Sequence, residues 1–221
     1  MSEAEPPRDC PLCPRLVAFR QDARDKEPSW HNAPVPSFGD PGGRLLIVGL
    51  APGLKGANRT GRAFTGDYAG ELLYSTLIAF GFAQGRFEAR PDDGLTLQNA
   101  TITNAVRCVP PANKPLPAEI ATCRTFLVAT MARMDRLGAI VALGRIAHES
   151  VLRAAGAKLA AHPFAHGARH ALTLQGGRRA TLHDSYHCSR YNTNTGVLTT
   201  DMFHAVFAAV RAELDAAPHD A

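Results

Sequence analysis

The sequence predicts an α/β fold in which a mostly parallel sheet of four strands carries helices on both faces. Four short apolar or β-branched runs, each bounded by Gly, Asn or Pro, have the composition of buried strands. The longer segments between them repeat apolar residues every three or four positions, as amphipathic helices do. Strands that alternate with helices pair in parallel, and the ligands of such sheets bind beyond the carboxyl ends of the strands.

Each predicted strand has its own signal. Arg44–Leu50 contains the run LLIV and leads into a glycine-rich turn, and Ala100–Val106 contains the β-branched run TIT. Ala139–Leu143 reads AIVAL and stops at a glycine, while Arg179–His183 follows a Gly-Gly turn. The apolar faces of four predicted helices would cover this sheet. These helices are Tyr68–Phe82, Pro117–Met134, Arg145–Ala155 and Leu198–Ala216.

Length and composition limit the classes of protein that the chain can represent. At 221 residues, of which 45% are hydrophobic and 20% charged, the chain suits a single domain, residues 1–221. The net charge of +4 suits a polyanionic partner, but ordinary enzymes carry similar charges. No run approaches the ~18 apolar residues of a membrane span, and the N-terminus has no basic-then-apolar signal peptide. We therefore expect a cytoplasmic protein with no membrane partner.

The stretch GLAPGLKGANRTGRAFTGD, Gly49–Asp67, follows the first predicted strand and is rich in glycine. Its spacing matches neither the dinucleotide fingerprint G-x-G-x-x-G nor the P-loop G-x4-G-K-[ST], which disfavours a nucleoside-triphosphate site. One interpretation is an ordinary strand-to-helix connection whose glycines adopt positive φ. The other is a ligand loop in which bare backbone touches a planar or phosphate group. Charge and an aromatic face would then come from Arg59, Arg62, Phe64 and Asp67.

Four of the five cysteines form two pairs. Cys10 and Cys13 are separated by two residues, whereas Cys108 and Cys123 enclose fourteen, including VPPANKPLP. In a reducing compartment such thiols favour a metal centre over disulfides. The long second spacing favours an iron–sulfur cluster, while zinc and four unrelated buried cysteines stay open as alternatives. Cys188 stands outside this set and is interpreted as an incidental small side chain.

The segment HDSYHCSRYNTNTG, residues 183–196, lies between the last predicted strand and the last predicted helix. Its polar and turn-forming residues place it at another carboxyl end of the sheet. We expect His183 to stay in or near the strand. His187 would lie in the loop, where an imidazole can donate a hydrogen bond to a developing negative charge. A solvated loop histidine is the alternative.

The order of these motifs resembles the iron–sulfur uracil-DNA glycosylases, specifically the broad-specificity group called family 5. The likeness extends from CPLCPRLVAFR and PVPSFGDP through VRCVPPANKP, VALGRIA and AHPFAHG to LTTDMF. It implies a three-layer α/β/α sandwich and removal of uracil, or of other deaminated bases, from DNA in base-excision repair. It also implies a monomer that needs no cofactor beyond one structural 4Fe-4S cluster. The ligands of that cluster would be Cys10, Cys13, Cys108 and Cys123.

The resemblance assigns catalytic roles to three residues. His187 would hydrogen-bond the oxygen of the departing base, and Asp67 would order the water or stabilise the cationic sugar. Asn113 in PPANKP matches an active-site asparagine of the family. The structural alternatives are a helix N-cap for Asp67 and a turn residue for Asn113.

The same resemblance describes a slot for the extruded base. Phe64 would stack on the base, and Asn104 stands where related family 4 enzymes have a base-reading asparagine, which predicts a preference for uracil. Backbone would form a wall at Gly49, Leu50, Ala51, Pro52 and Gly53. Other uracil-excising families often carry an acidic or amide residue directly after GxxP, where this chain has Gly53. Asp67 must then bind the attacking water in place of that residue, or the reaction proceeds without a side-chain base.

A base inside duplex DNA is out of reach, so the target nucleotide must be flipped out at a cost of about a few kcal/mol. We expect four basic residues to bind the phosphates that flank the target nucleotide: Arg59, Arg62, Lys114 and Arg190. The tip of the loop that carries His187, called the histidine loop below, should fill the space that the extruded base leaves. This tip comprises Arg190, Tyr191 and Asn192. Two other functions stay open: a non-catalytic, metal- or redox-responsive DNA-binding module, and a zinc-stabilised hydrolase of free nucleosides.

Overall fold

Four parallel strands form the centre of a six-stranded sheet in the computed structural model, which describes residues 4–216. The strands are β1 (Phe38–Gly39), β2 (Leu45–Gly49), β3 (Ala83–Gln84), β4 (Thr96–Leu97), β5 (Ala100–Asn104), β6 (Ala139–Leu143), β7 (Arg169–Thr173) and β8 (Arg179–Ser185). The α-helices are α1 (Pro14–Lys26), α2 (Ala57–Thr60), α3 (Tyr68–Ala79), α4 (Pro117–Arg133), α5 (Arg145–Ala154), α6 (Arg190–Asn194) and α7 (Thr200–Ala216).

The six strands follow the order β1-β5-β2-β6-β8-β7. The four predicted strands correspond to β2, β5, β6 and β8, and these pair in parallel. The predicted strand count was too low, because β1 and β7 add an antiparallel strand at either edge. β1 is only two residues long and β7 (RHALT) buries only Leu172, so neither contains the apolar run that identifies a central strand. β3 and β4 pair separately.

Helices cover both faces of the sheet, which confirms the α/β/α layers. Successive side chains of a strand point to opposite faces. On β2, Leu45 and Ile47 contribute to a core with residues of α3 and α7, whereas Leu46 and Val48 contribute to a second core with residues of α4 and α5. All four side chains are fully buried.

The four predicted helices are present with small differences at their ends, but α1, α2 and α6 were not predicted. α1 begins with a proline directly after Cys13 and buries Leu16, Arg20 and Ala23 on one face. An arginine in the buried stripe breaks the apolar repeat, so periodicity alone does not identify this helix. α2 and α6 have four and five residues, too few to show a helical period.

Among residues 4–216, no helix combines the length and the apolar character needed to cross a bilayer.

Candidate active site

A pocket of about 330 Å³ lies at the carboxyl end of the sheet, beyond β2 and β5. Parallel strands end at the same edge, so three segments that are distant in the chain meet there. The pocket is lined by Leu50, Ala51, Pro52, Gly53, Ala57, Phe64, Asp67, Tyr68, Ala69, Asn104, Asn113, His187, Ser189 and Arg190. The structure therefore brings together the three predicted catalytic residues and the predicted base-binding residues, except that Gly49 lies one position before the lining.

Two glycines of the loop make room for side chains of the protein itself. A Cβ at Gly49 would overlap Oδ1 of Asn104 and the ring of Phe64, and a Cβ at Gly56 would overlap the carboxylate of Asp67. The bare backbone that the sequence predicts for ligand contact thus also accommodates three of the predicted site residues. Close approach between side chain and backbone, rather than a nucleotide motif, explains these two glycines.

Asp67 occupies the N-cap position of α3, but its side chain makes no capping hydrogen bond. Its Oδ1 is buried and has no hydrogen-bond partner among the described residues. Burial raises the pKa of the Asp67 carboxyl, and the nearby backbone amides of Gly70 and Ala69 only partly oppose that shift. A carboxylate oxygen without a partner, beside a pocket, is available to bind water or a cationic group.

The rings of Phe64 and His187 lie side by side, with centroids 6.0 Å apart and planes 30° apart. Phe64 has a φ of 53°, a left-handed conformation that is uncommon for an aromatic residue and that clusters at functional sites. Burial lowers the pKa of His187 to about 4, so the imidazole is neutral near pH 7. A neutral imidazole donates from one ring nitrogen and accepts at the other.

Two hydrogen bonds hold the backbone around His187. The side-chain Nδ2 of Asn192 donates to the carbonyl oxygen of His187 at 2.9 Å, and the N–H of Tyr186 donates to Nδ1 of His166 at 3.2 Å. Asn192 is predicted to fill the gap in DNA, and that role stays a prediction. Its side-chain Nδ2 also positions the backbone of the loop that carries His187.

The two predicted asparagines occupy different depths. Asn104 ends β5 and is 3% exposed, so its amide belongs to the wall of the pocket. Asn113 is exposed and lies in a turn where Ala112 and Asn113 have φ values of 53° and 55°. Asn tolerates this left-handed conformation better than most residues. The predicted turn position of Asn113 and its place at the pocket are therefore compatible.

Arg62 is a buried structural residue, and the prediction that it contacts phosphate needs correction. Its guanidinium donates two hydrogen bonds to Asp93, at 2.8 and 2.7 Å, and the side chains are 4% and 0% exposed respectively. The guanidinium carbon also lies 5.1, 5.4 and 5.7 Å from the ring centres of Phe38, Tyr74 and Phe87. No face of Arg62 is left for a phosphate.

The remaining predicted DNA contacts are exposed: Arg59, Lys114, Arg190 and Tyr191. Tyr191 is the most exposed large hydrophobic residue of the described chain, at 74%. The guanidinium of Arg190 lies 5.2 Å from the ring centre of Tyr68, a pocket residue that the sequence analysis missed together with Ala57, Ala69 and Ser189. The available signal for Tyr68 was its position next to Asp67 at the start of a predicted helix.

His183 stays in the sheet, as predicted. It lies on β8, is buried, and its Nε2 is 3.1 Å from Oε2 of Glu213 on α7. It does not line the pocket, so among the two histidines of this segment only His187 can act there.

The four predicted metal-ligand cysteines line one small cavity, between α1, the segment after β5 and α4. No three of the Sγ atoms of Cys10, Cys13, Cys108 and Cys123 lie within 4.8 Å of one another. A tetrahedral zinc ion with Zn–S distances of about 2.3 Å would hold its sulfurs about 3.8 Å apart. The four thiols are therefore not drawn together as the ligands of a closed zinc site are.

Hydrogen-bond donors face two of these sulfurs. The N–H of Arg107 donates to Sγ of Cys123 at 3.3 Å, and Nη1 of Arg20 donates to Sγ of Cys108 at 3.7 Å. Burial raises the pKa of Cys108 to about 12 and that of Cys123 to about 11, so ionised thiols here require a compensating cation. Cys188 is buried in the core beside α7, apart from this group, as predicted.

Comparison with known proteins relates this chain to uracil-DNA glycosylases. The family model described as the uracil DNA glycosylase superfamily matches residues 36–211. The chain is 47% identical over 200 residues to the type-5 uracil-DNA glycosylase of Thermus thermophilus, covering 88% of this chain and 89% of that protein. It is 37% identical to the type-5 enzyme of Pyrobaculum aerophilum, over 93% of this chain and 89% of that protein. A type-4 enzyme of Archaeoglobus fulgidus is 32% identical over 53% of this chain and 51% of its own.

The family match spans the strands and loops that build the pocket, and the type-5 relatives cover nearly the whole chain on both sides of the comparison. The chain therefore belongs to the uracil-DNA glycosylase superfamily, and within it to the type-5 group.

Proposed function

We propose that this protein is a monofunctional DNA glycosylase that hydrolyses the N-glycosidic bond of uracil in DNA and leaves an abasic site for base-excision repair. One observation carries the proposal: a single pocket combines Asp67, whose buried Oδ1 has no hydrogen-bond partner among the described residues, with a neutral imidazole, His187, beside the aromatic ring of Phe64. The aromatic ring can stack on the base, the imidazole can donate a hydrogen bond to it as it departs, and the carboxylate can bind the water or the cationic sugar.

Breaking the N-glycosidic bond creates opposite charges on the two sides of the site. The sugar gains cationic character and the base departs as an anion. His187 donates a hydrogen bond to the departing base oxygen and stabilises the negative charge as it develops. Because the base is neutral before the reaction, this hydrogen bond is stronger in the transition state than in the bound substrate, and it therefore raises the rate.

Asp67 serves the positive side of the reaction. Among the residues that line the pocket it is the acidic one, and Gly53 beside it has no side chain that could bind water. The ionised carboxylate attracts the cationic sugar, and its free Oδ1 accepts a hydrogen bond from the attacking water. Fixed charges act strongly here because the carboxyl is largely removed from solvent.

Recognition of the base is divided between shape and hydrogen bonding. The ring of Phe64 and the backbone of residues 50–53 accept a flat ring of any kind. The amide of Asn104 supplies discrimination, because it pairs with N3 and O4 of uracil and leaves buried polar groups unpaired when cytosine enters. Hypoxanthine and xanthine are the further substrates to test.

The substrate is DNA with the target nucleotide flipped out. Arg59, Lys114 and Arg190 are exposed cations suited to the flanking phosphates, and they carry no base preference. Tyr191, with most of its side chain in solvent, is suited to fill the space that the extruded base leaves in the stack.

We further propose that the four cysteines hold a 4Fe-4S cluster. The cavity that all four cysteines share, the long spacing between Cys108 and Cys123 and the two N–H donors that face Sγ atoms support this assignment. A cluster of this kind, when bound, would join α1 to the segment between β5 and α4 and would supply no step of the hydrolysis. Arg20 and Arg107 place positive charge and hydrogen bonds beside its thiolate ligands.

The direct test is incubation of the protein with a duplex that contains one uracil, followed by alkali and measurement of strand scission. We expect scission at the uracil under single-turnover conditions, and its loss in Asp67→Asn with His187→Ala. Absence of scission at stoichiometric enzyme on uracil and hypoxanthine duplexes would overturn the proposal. DNA binding without scission would favour a non-catalytic module, and release of uracil from free deoxyuridine alone would favour a nucleoside hydrolase.

A further inference from the structure

A buried group of two imidazoles and one carboxylate lies outside the pocket, where α5, the edge strand β7 and β8 meet. Asp184 on β8 is fully buried, and the side chains of His148 on α5 and His170 on β7 are 2% and 10% exposed. Nδ1 of His148 is 2.7 Å from Oδ1 of Asp184, and Nε2 of His170 is 3.2 Å from Oδ2. One nitrogen of each histidine and one carboxylate oxygen all lie within 4.8 Å of one another.

The hydrogen-bond partners of His148 imply that a proton or a metal ion lies between its Nδ1 and Asp184. Its Nε2 lies 2.9 Å from the carbonyl oxygen of His162, which can only accept, so Nε2 carries a hydrogen. In a neutral imidazole the other nitrogen, Nδ1, then presents a lone pair. That lone pair faces the carboxylate of Asp184 at 2.7 Å, an arrangement that repels unless a cation lies between them. The cation is either a second proton or a metal ion.

The arrangement around this contact is the one that protein metal sites use. A metal-binding imidazole commonly donates its other N–H to a backbone carbonyl, as His148 does to His162. Two ligand atoms that each lie about 2.1 Å from one tetrahedral ion are about 3.4 Å apart. The nitrogen–oxygen separations of 2.7 and 3.2 Å are those of hydrogen bonds, so the side chains must move apart slightly to admit such an ion. The convergence of two imidazoles and one carboxylate on one point, rather than either pair alone, is what favours a metal.

We propose that His148, His170 and Asp184 form a binding site for a divalent transition-metal ion of the zinc class. Two imidazoles and one carboxylate suit such an ion, and solvent or a neighbouring group completes the coordination. The site is separate from the cysteine cavity and does not depend on the proposed glycosylase activity. A further imidazole, His162, has its ring centre 5.5 Å from that of His170.

An ion at this position would restrict the motion of the histidine loop of the active site. Asp184 lies three residues before His187, and its backbone exchanges hydrogen bonds with the 167–168 segment, at 2.8 and 2.9 Å. The same segment follows His166, which accepts the N–H of Tyr186. A metal bound to Asp184 would therefore join α5 and β7 to the strand that ends at the catalytic loop.

The test is titration of the full-length, EDTA-treated protein with Zn²⁺ by calorimetry and with Co²⁺ by visible spectroscopy. We expect one equivalent to bind, with an affinity at least tenfold lower in His170→Ala, the variant at the sheet edge that best tolerates truncation. His204→Ala, on α7 and outside the group, is the matched control and should bind as the parent does. Zn²⁺ should raise the melting temperature of the parent and of His204→Ala, but not of His170→Ala.

The Co²⁺ spectrum separates this site from the cysteines. Imidazole and carboxylate ligands give ligand-field bands without the intense sulfur charge-transfer band that thiolates produce, and the iron content should stay constant during the titration. Failure of both ions to bind, binding unchanged in His170→Ala, or a thiolate charge-transfer band would each overturn the proposal. In those cases the contact between His148 and Asp184 holds a proton.

Discussion

Arg62→Met distinguishes a residue that supports the fold from one that grips DNA. Methionine keeps a long unbranched chain but removes the charge, the two hydrogen bonds to Asp93 and the contact with three aromatic rings. Asp93 is fully buried and would be left without its partner. Breaking a buried ion pair in this way costs about 3–5 kcal/mol. In a chain of this length that corresponds to a fall in melting temperature of about 6–20 °C.

The deficit should depend on pH in one direction. The hydrogen bonds from Arg62 hold the pKa of Asp93 far below its ordinary value of 3.8. A carboxyl whose pKa is depressed by folding contributes stability that is complete above the unfolded value and is lost as the pH falls through the folded value. The difference in melting temperature between parent and variant should therefore be constant near neutral pH, begin to shrink as the pH approaches 3.8, and continue to shrink as the pH falls toward the lowered pKa of the folded state.

Thermal denaturation and DNA binding together decide the role of Arg62. Arg62→Met combined with Asp93→Asn removes both charges and should recover part of the lost stability. Arg59→Met is the matched control: it is exposed, so it should melt as the parent does while its DNA affinity and the salt dependence of that affinity fall. If Arg62→Met instead melted within about 2 °C of the parent and lost DNA affinity with a shallower salt slope, the structural role would be refuted.

Four further predictions concern the proposed chemistry. His187→Ala should slow single-turnover excision by about 10²–10³-fold with DNA affinity unchanged, and an equal rate would remove its role as donor. Because burial lowers the pKa of His187 to about 4, its imidazole should give the rate no inflection near pH 6.5, while the raised pKa of Asp67 should make the rate fall at a higher pH than an ordinary aspartate would; an inflection near 6.5 that disappears in His187→Gln would contradict the first expectation. Asn104→Ala should reduce uracil excision roughly 10- to 100-fold and hypoxanthine excision much less, whereas a uniform loss that tracks melting temperature would indicate a structural role. Cys108→Ser should abolish the visible absorption of a cluster and lower stability more than Cys188→Ser, and a colourless parent with one zinc would contradict the cluster.

Local pattern was sufficient to predict the centre of the fold but not its edges. The four parallel strands are buried on both faces, so their runs are continuously apolar and readable. β7 is mostly exposed, and α1 includes the buried Arg20, so neither follows the simple rule for its type. Their structure depends on partners distant in the chain, which a local pattern does not encode.

The same limit applies to the site. Asn104 at the end of β5 and His187 just after β8 both line the pocket, as the shared edge of parallel strands leads one to expect. The charge of Arg62 was recognised, but its direction depends on Asp93, 31 residues later. Asn192 lies in the predicted polar tip, and the sequence does not show that its amide also donates to the backbone of the loop it belongs to. Sequence identifies which groups are available, and tertiary packing decides which of them face solvent.

The close approach of Gly56 and Asp67 has a consequence for how this family can change. A side chain at position 56 would occupy the space of the Asp67 carboxylate, so the two positions are not free to vary one at a time. Alanine at 56 displaces the carboxylate and a shorter residue at 67 removes it, so either change alone costs the site its proposed acidic group. An acid at 67 therefore requires glycine at 56, and relatives that keep the carboxylate should also keep the glycine.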